Sequence, residues 1–199
     1  MKKLASEMAR AELIITSKIN NGGIRKKLWD LYNAVFAGQE KISVQNQKCY
    51  TEETFQAALL DEEYIKFYLI LDDEVVAYML ATNNLQKAAV TYMNPERYRE
   101  LFPEYAAANK IYYFTSLGVH PEQQKQKLFY QIISAGFRRI AELRGMYAFD
   151  FSQESVANLA GMFIRIAHRL HQEGLLPEMK YVKVGAQEFG AIAPTHPQS

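Results

Sequence analysis

The chain has 199 residues, 49% hydrophobic and 23% charged, enough apolar content to bury a sizeable core and too much for a disordered segment. Lys and Arg number 23 against 22 Asp and Glu, and this net charge of +1 excludes a general pull toward nucleic acid or anionic membrane, so any polyanion site is local. Cys49 is the only cysteine, which excludes an internal disulfide framework and a multi-cysteine zinc site and fits a reducing compartment. No apolar core of signal-peptide length follows MKKLASEMAR, and the longest uninterrupted apolar run, Val75 to Ala81, is far short of a bilayer span. The expectation is a cytoplasmic protein without membrane insertion.

In chain order, Leu13 to Ser17 reads as a short strand followed by an Asn-Asn-Gly-Gly turn. From Ile24, apolar residues recur at Leu28, Leu31, Tyr32, Val35 and Phe36, the spacing of an amphipathic helix that ends near Gly38. A second helix starts at Thr51, whose hydroxyl can cap it, and runs through Phe55, Ala58 and Leu59. YIKFYLILDDEVVAYMLATNN then reads as two antiparallel strands joined at Asp72-Asp73-Glu74. The polar stretch from Ala88 to Lys110 is read as an insertion with one short helix outside the main layers. IYYFTSLGV is a strand, and Glu122 to Leu143 a helix with its stripe at Leu128, Phe129, Ile132, Ile133, Gly136, Phe137 and Ile140. MYAFDF is a strand, Val156 to His171 a helix, and KYVKVG and the run around Phe189 to Ile192 are closing strands. Strand-helix-strand units after residue 111 require parallel pairing, whereas the earlier hairpin is antiparallel. The fold class is therefore α/β, a central mixed sheet with helices on both faces, in a single domain with a flexible tail at about 193–199.

The stretch LGVHPEQQKQKLF, residues 117 to 129, joins a strand end to a long helix through a polar turn. Its LGVHPE, together with the element order over roughly residues 11 to 190, resembles the GCN5-related N-acetyltransferase (GNAT) superfamily, in which a hydrophobic-small-Val-x-Pro-Glu strand end precedes the helix that binds coenzyme A pyrophosphate. The resemblance implies an acyl-CoA N-acyltransferase fold and transfer of an acyl group from acetyl-CoA, or another acyl-CoA, to a small-molecule amine. It places the donor on Leu117 and Val119, whose main chain would hold the pantetheine arm, on the turn and helix start Gln124, Lys125, Gln126, Lys127, Leu128 and Phe129, and on Asn158. The turn departs from the family pattern: Lys127 and Phe129 stand where its two glycines belong, and Lys125 stands at another position that is commonly glycine. Glycine lets backbone N–H groups approach phosphate, and the lysines restore charge while crowding that space.

Many family members carry a glutamate base on this strand, and Tyr113 occupies that position; a tyrosine with a pKa near 10 is a better acid or donor than base. The family's acid tyrosine is replaced by Ile164 and Arg165. Asp150 and Glu154, in DFSQES at the carboxyl edge of the sheet, can orient or deprotonate an amine, although Ser155 also suits a plain helix cap. His120 lies at a position that is variable in the family. His168 and His171 are three apart on one helix and lack a third ligand, so no metal is expected. The load of 13 Tyr, 11 Phe and 1 Trp near the acyl cleft suits either core or a pocket for a long acyl chain. The latter is similar to long-chain N-acyl amino acid synthases, which take the acyl group from the phosphopantetheine of an acyl carrier protein. A protein of this fold that has lost catalysis and serves as a binding module is the third reading, and a homodimer fits any of them.

Overall fold

The structure is a computed structural model that describes residues 11–36, 50–88, 94–149 and 159–182, with the side chains of 124–126 excepted. Strand β1 (Glu12–Thr16) leads to helix α1 (Gly22–Phe36) and helix α2 (Glu52–Leu60). Strands β2 (Tyr64–Leu71) and β3 (Glu74–Thr82) follow, then three short helices, α3 (Leu85–Ala88), α4 (Pro95–Leu101) and α5 (Pro103–Ala107). Strand β4 (Ile111–Val119), a 3-10 helix (Pro121–Gln126), helix α6 (Leu128–Glu142), strand β5 (Met146–Ala148) and helix α7 (Gly161–Gln172) complete the described elements. The sheet order is β1-β2-β3-β4-β5, antiparallel except for the parallel pair β4 and β5. This is the mixed α/β sheet, antiparallel in its first four strands and parallel at its last pair, that the element order leads one to expect.

Local chemistry explains most boundaries. Asn21 caps α1 by accepting from the N–H groups of Gly23 (2.8 Å) and Ile24 (3.2 Å), so the expected turn is already the first turn of the helix. Thr51 and Thr54 form a reciprocal capping box on α2. Asp72 and Asp73 both have positive φ, 49° and 64°, which is what a two-residue type I′ hairpin demands; Glu74 belongs to β3 rather than to the turn. The described part of KYVKVG, residues 180–182, is not strand, and the remainder of the closing strands lies outside the described residues.

Alternation along the strands splits the core into two faces. Tyr68, Tyr78 and Leu80 face α1 and α2, meeting Leu28, Leu31, Tyr32, Phe55 and Leu59. Phe67, Leu69, Met79 and Phe114 face α6 and α7, meeting Ile132, Ile133, Phe137, Phe163 and Ile166. Phe163 is the hub of the second face, with ring centroids 4.9 Å from Phe149, 5.7 Å from Phe137 and 5.9 Å from Phe129. The segment expected to lie outside the main layers is built in: α3 and α4 supply Leu85, Ala88 and Tyr98 to a third cluster with Ile111, Tyr113 and Ala148. Tyr98 is the reason, since burying its ring against Tyr113 removes more apolar surface from water than leaving the segment detached.

Lys66, in the middle of the first face, is only 1% exposed. Its ammonium donates to three main-chain carbonyls, those of Ser17 (2.5 Å), Asp61 and Tyr64 (3.0 Å), tying the end of β1 to the C-cap of α2. Burial disfavours the charged amine and pushes its pKa down to about 8, with Asp61 opposing the shift. Below about pH 8 the side chain is protonated in both folded and unfolded chains; between about 8 and the unfolded value near 10 only the unfolded chain holds the proton. Stability therefore rises with pH across that window. Melting temperatures at pH 7, 8, 9 and 9.5 are expected to climb for the native chain relative to Lys66→Met, and a constant difference between the two would contradict the assignment.

Candidate active site

β4 is flanked unequally. Its register with β3 runs from Tyr113 to Val119, whereas β5 meets it only at Ile111↔Met146, Tyr112↔Tyr147 and Tyr113↔Ala148. Beyond Tyr113, no strand among the described residues pairs with the β5 side of β4. The register with β3 also slips, Ala81 facing Phe114 and Leu80 facing Ser116, so Thr115 is the extra residue of a bulge at the point where β5 is left behind. Downstream, the His120 N–H donates to Val76 O on β3 at 2.8 Å. Alternation then turns the N–H and C=O of Val119 and Leu117 away from β3, into the gap. Their side chains pack on the α6 face, so the main chain of both is what they offer to a ligand.

Gly118 permits the strand to pass close to α1. A Cβ there would lie 2.5 Å from the ring of Tyr78, which is fully buried and fixed by a 2.7 Å hydrogen bond between its Oη and Ser116 Oγ. Because that ring cannot swing aside, Gly118→Ala is expected to lower stability by about 1–3 kcal/mol, the range for overpacking a filled core. Chemical denaturation measures it, and an unchanged midpoint would show that the ring yields.

The helix expected from Glu122 instead begins at Leu128. His120 caps the intervening 3-10 helix, its Nδ1 accepting from the Glu122 N–H at 3.3 Å, which occupies the imidazole in a structural role. Lys127 then adopts φ 58°, the left-handed conformation that glycine takes without strain. The turn thus holds a glycine-like backbone conformation with a lysine in it, exposed at the start of α6. The Gln131 N–H bonds to Lys127 O at 3.0 Å, and the side chain of Lys127 does not cap α6, so the N–H groups of its first turn have no intrahelical partner and the positive end of the helix dipole lies at this turn. Leu128 is 2% exposed and Phe129 packs on Phe163, so these two contribute main chain and scaffold rather than side-chain contacts. Gln123 Oε1 is buried and has no hydrogen-bond partner among the described residues. Lys127→Gly is expected to be at least as stable as the native chain, and Lys127→Val less stable by about 1–2 kcal/mol, because a β-branched residue tolerates positive φ worst; thermal melts of the pair test this.

Tyr113 is 2% exposed, its ring edge-on to Tyr98 with centroids 6.1 Å apart. Asp150, Glu154 and Asn158 lie outside the described residues, as do the side chains of Gln124, Lys125 and Gln126. On α7, His168 pairs with Gln172 (2.9 Å) and His171 with Leu176 O (3.1 Å); among the described residues no three potential ligands gather for a metal. Two residues next to the gap escaped the sequence reading. Tyr50 donates from its Oη to Thr115 Oγ1 at 3.0 Å, bringing a hydroxyl from the start of α2 to the bulge of β4. Nothing local marks either residue, since 65 positions separate them.

No protein-family model and no curated protein matches the sequence. Among solved structures the chain is similar to an aminoglycoside acetyltransferase from an uncultured soil metagenomic sample in complex with sisomicin, at 14% identity and a TM-score of 0.49, covering 90% of this chain and 97% of that one. It is also similar to the ribosomal-protein-S18-alanine N-acetyltransferase of Escherichia coli, at 15% identity and 0.47 over 80% and 76% of the two chains. An aminoglycoside antibiotic 6'-N-acetyltransferase of Acinetobacter baumannii stands at 10% identity and 0.45 over 91% and 100%. Likenesses of this size carry no weight for activity. What the site can do follows from the strand gap and the turn.

Proposed function

We propose that the chain is an N-acyltransferase that binds an acyl-CoA, acetyl-CoA in the simplest case, and passes its acyl group directly to a small-molecule amine. The observation that carries this reading is that β4 outruns β5 and feeds through the turn at 121–127 into the uncapped start of α6. A gap lined by main-chain donors and acceptors suits the amides of a pantetheine arm, and an open helix N-terminus beside Lys127 suits a pyrophosphate.

In this arrangement the N–H groups of Leu117 and Val119 hold the arm, with the Val119 N–H directed at the thioester carbonyl. The amine nitrogen adds to the carbonyl carbon, the C=O pair moves to oxygen, and collapse of the tetrahedral adduct restores C=O as the C–S bond breaks. The proton lost by nitrogen is taken by Asp150 or Glu154, or by solvent; the thiolate leaves unaided or is protonated by water. Gln124, Lys125 and Lys127 contact the phosphates, and Asn158 the donor.

Thermal-shift titration tests the donor. Acetyl-CoA at about 100 times its Kd would add about 2.7 kcal/mol, roughly 5–10 °C in Tm for a chain of this length. A larger shift with phosphopantetheinylated carrier protein would replace coenzyme A by a carrier, and no shift with any donor would leave a binding module in place of an enzyme. The Lys125→Glu, Lys127→Glu double change is expected to weaken the donor about tenfold or more. Unchanged affinity would move the phosphate site away from this turn.

A further inference from the structure

β1 is the outer strand of the sheet, and alternation fixes which of its polar groups are left over. The His120 N–H bonds to Val76 O, so Val76, Tyr78 and Leu80 turn their main chain toward β4, and Ala77 and Met79 turn theirs toward β2. Leu69 and Phe67 answer Ala77 and Met79, which leaves Lys66, Tyr68 and Ile70 to bond with Thr16, Ile14 and Glu12. Leu13 and Ile15 therefore present their N–H and C=O away from the sheet, and these groups have no partner among the described residues. Just beyond either end of β1 the carbonyl is already taken: Gln131 Nε2 donates to Ala11 O at 3.0 Å, and the Lys66 ammonium to Ser17 O at 2.5 Å. Edge strands are commonly blunted by lysine, proline or a bulge. ELIIT has none of these, its register with β2 runs without a shift, and Ile15 is 41% exposed.

We propose that this edge pairs with β1 of a second copy of the chain, antiparallel about a two-fold axis through Ile14. That register sets Leu13 of each copy opposite Ile15 of the other, and each such pair exchanges both of its N–H···O=C bonds, so every main-chain group left over at the edge is used. A second copy fits because the open window is bounded on each side by the contacts of Gln131 and Lys66, and the window it brings has the same length and the same bounds. Leu13 packs on the α6 face, and alternation puts the Ile15 side chain on that face too, where Leu13 of the other copy covers it. Glu12 falls opposite Thr16 of the other copy, beside which a 2.9 Å bond from Thr16 Oγ1 to Lys18 O holds the loop carrying Lys18, so no like charges meet. The two sheets become one, with the β4 and β5 edge of each copy at the far ends. The pairing is therefore independent of the acyltransferase reading.

Sedimentation velocity at micromolar concentration is expected to show the native chain as a dimer. Ile15→Lys, which places a charge at the edge without touching the ladder between β1 and β2, is expected to sediment as a monomer with an unchanged melting temperature. Cross-linking tests the register on its own. In a Cys49→Ser background, Ile14→Cys would stand opposite its own copy in a non-hydrogen-bonded pair, with Cα atoms about 4.5 Å apart and within reach of a disulfide. Mild oxidation is expected to turn that variant into a covalent dimer on a denaturing gel, whereas Thr16→Cys, opposite Glu12, stays a single chain. A native chain that sediments as a monomer overturns the proposal and leaves the edge to a strand from another protein. A dimer that Ile15→Lys leaves intact, or in which Ile14→Cys does not cross-link, overturns it equally.

Discussion

Everything at the candidate site depends on one mismatch of length. β4 is stitched to β3 along most of its course, and to β5, among the described residues, at three residue pairs. A strand buried in a sheet normally spends both edges on neighbours, and an edge left unpaired in the interior must find other partners for its N–H and C=O groups. The bulge at Thr115 increases the local twist and turns the remainder of β4 from its neighbour. The freed edge is backbone, so its polar groups are fixed by the sheet and not by side-chain rotamers. A thioester arm with two amides is the kind of ligand that such an edge can read.

The layers on either side stabilise this mismatch. On one face, α6 presses its apolar stripe onto Phe67, Met79 and Phe114 and carries its open N-terminus to the end of β4. On the other, α1 and α2 close an aromatic core around Tyr32, Phe55 and Tyr78, from which Tyr50 projects to the bulge. Lys66 joins the end of β1 to the end of α2 by donating to the carbonyls of Ser17, Asp61 and Tyr64. The bulge of β4 and the start of α6 are thus supported by different halves of the core.

The elements that sequence reading placed well are those whose signal is local. The strand pair around Asp72 and Asp73, the Thr51 cap and the stripe of α6 are all written within a dozen residues, and each stands where spacing puts it. The start of α6 at Leu128 rather than Glu122 is not written locally, because Pro121 and Glu122 are good first-turn residues for either kind of helix and what decides between them is the conformation of Lys127. The burial of Tyr113 could not be read from β4 alone, since it is Tyr98 that covers it. The fixing of Tyr50 to Thr115 is likewise a product of tertiary packing between segments with no common pattern.

The left-handed Lys127 bears on how a ligand is received. A glycine at that hinge would sample many conformations when the site is empty, and binding would have to select one of them. A lysine prefers negative φ, so its left-handed conformation is imposed by the turn and the start of α6 around it rather than by its own preference. The hinge therefore stores strain that a change to negative φ would release, and the junction of the 3-10 helix with α6 keeps its shape only as long as the packing of Leu128 and Phe129 holds it.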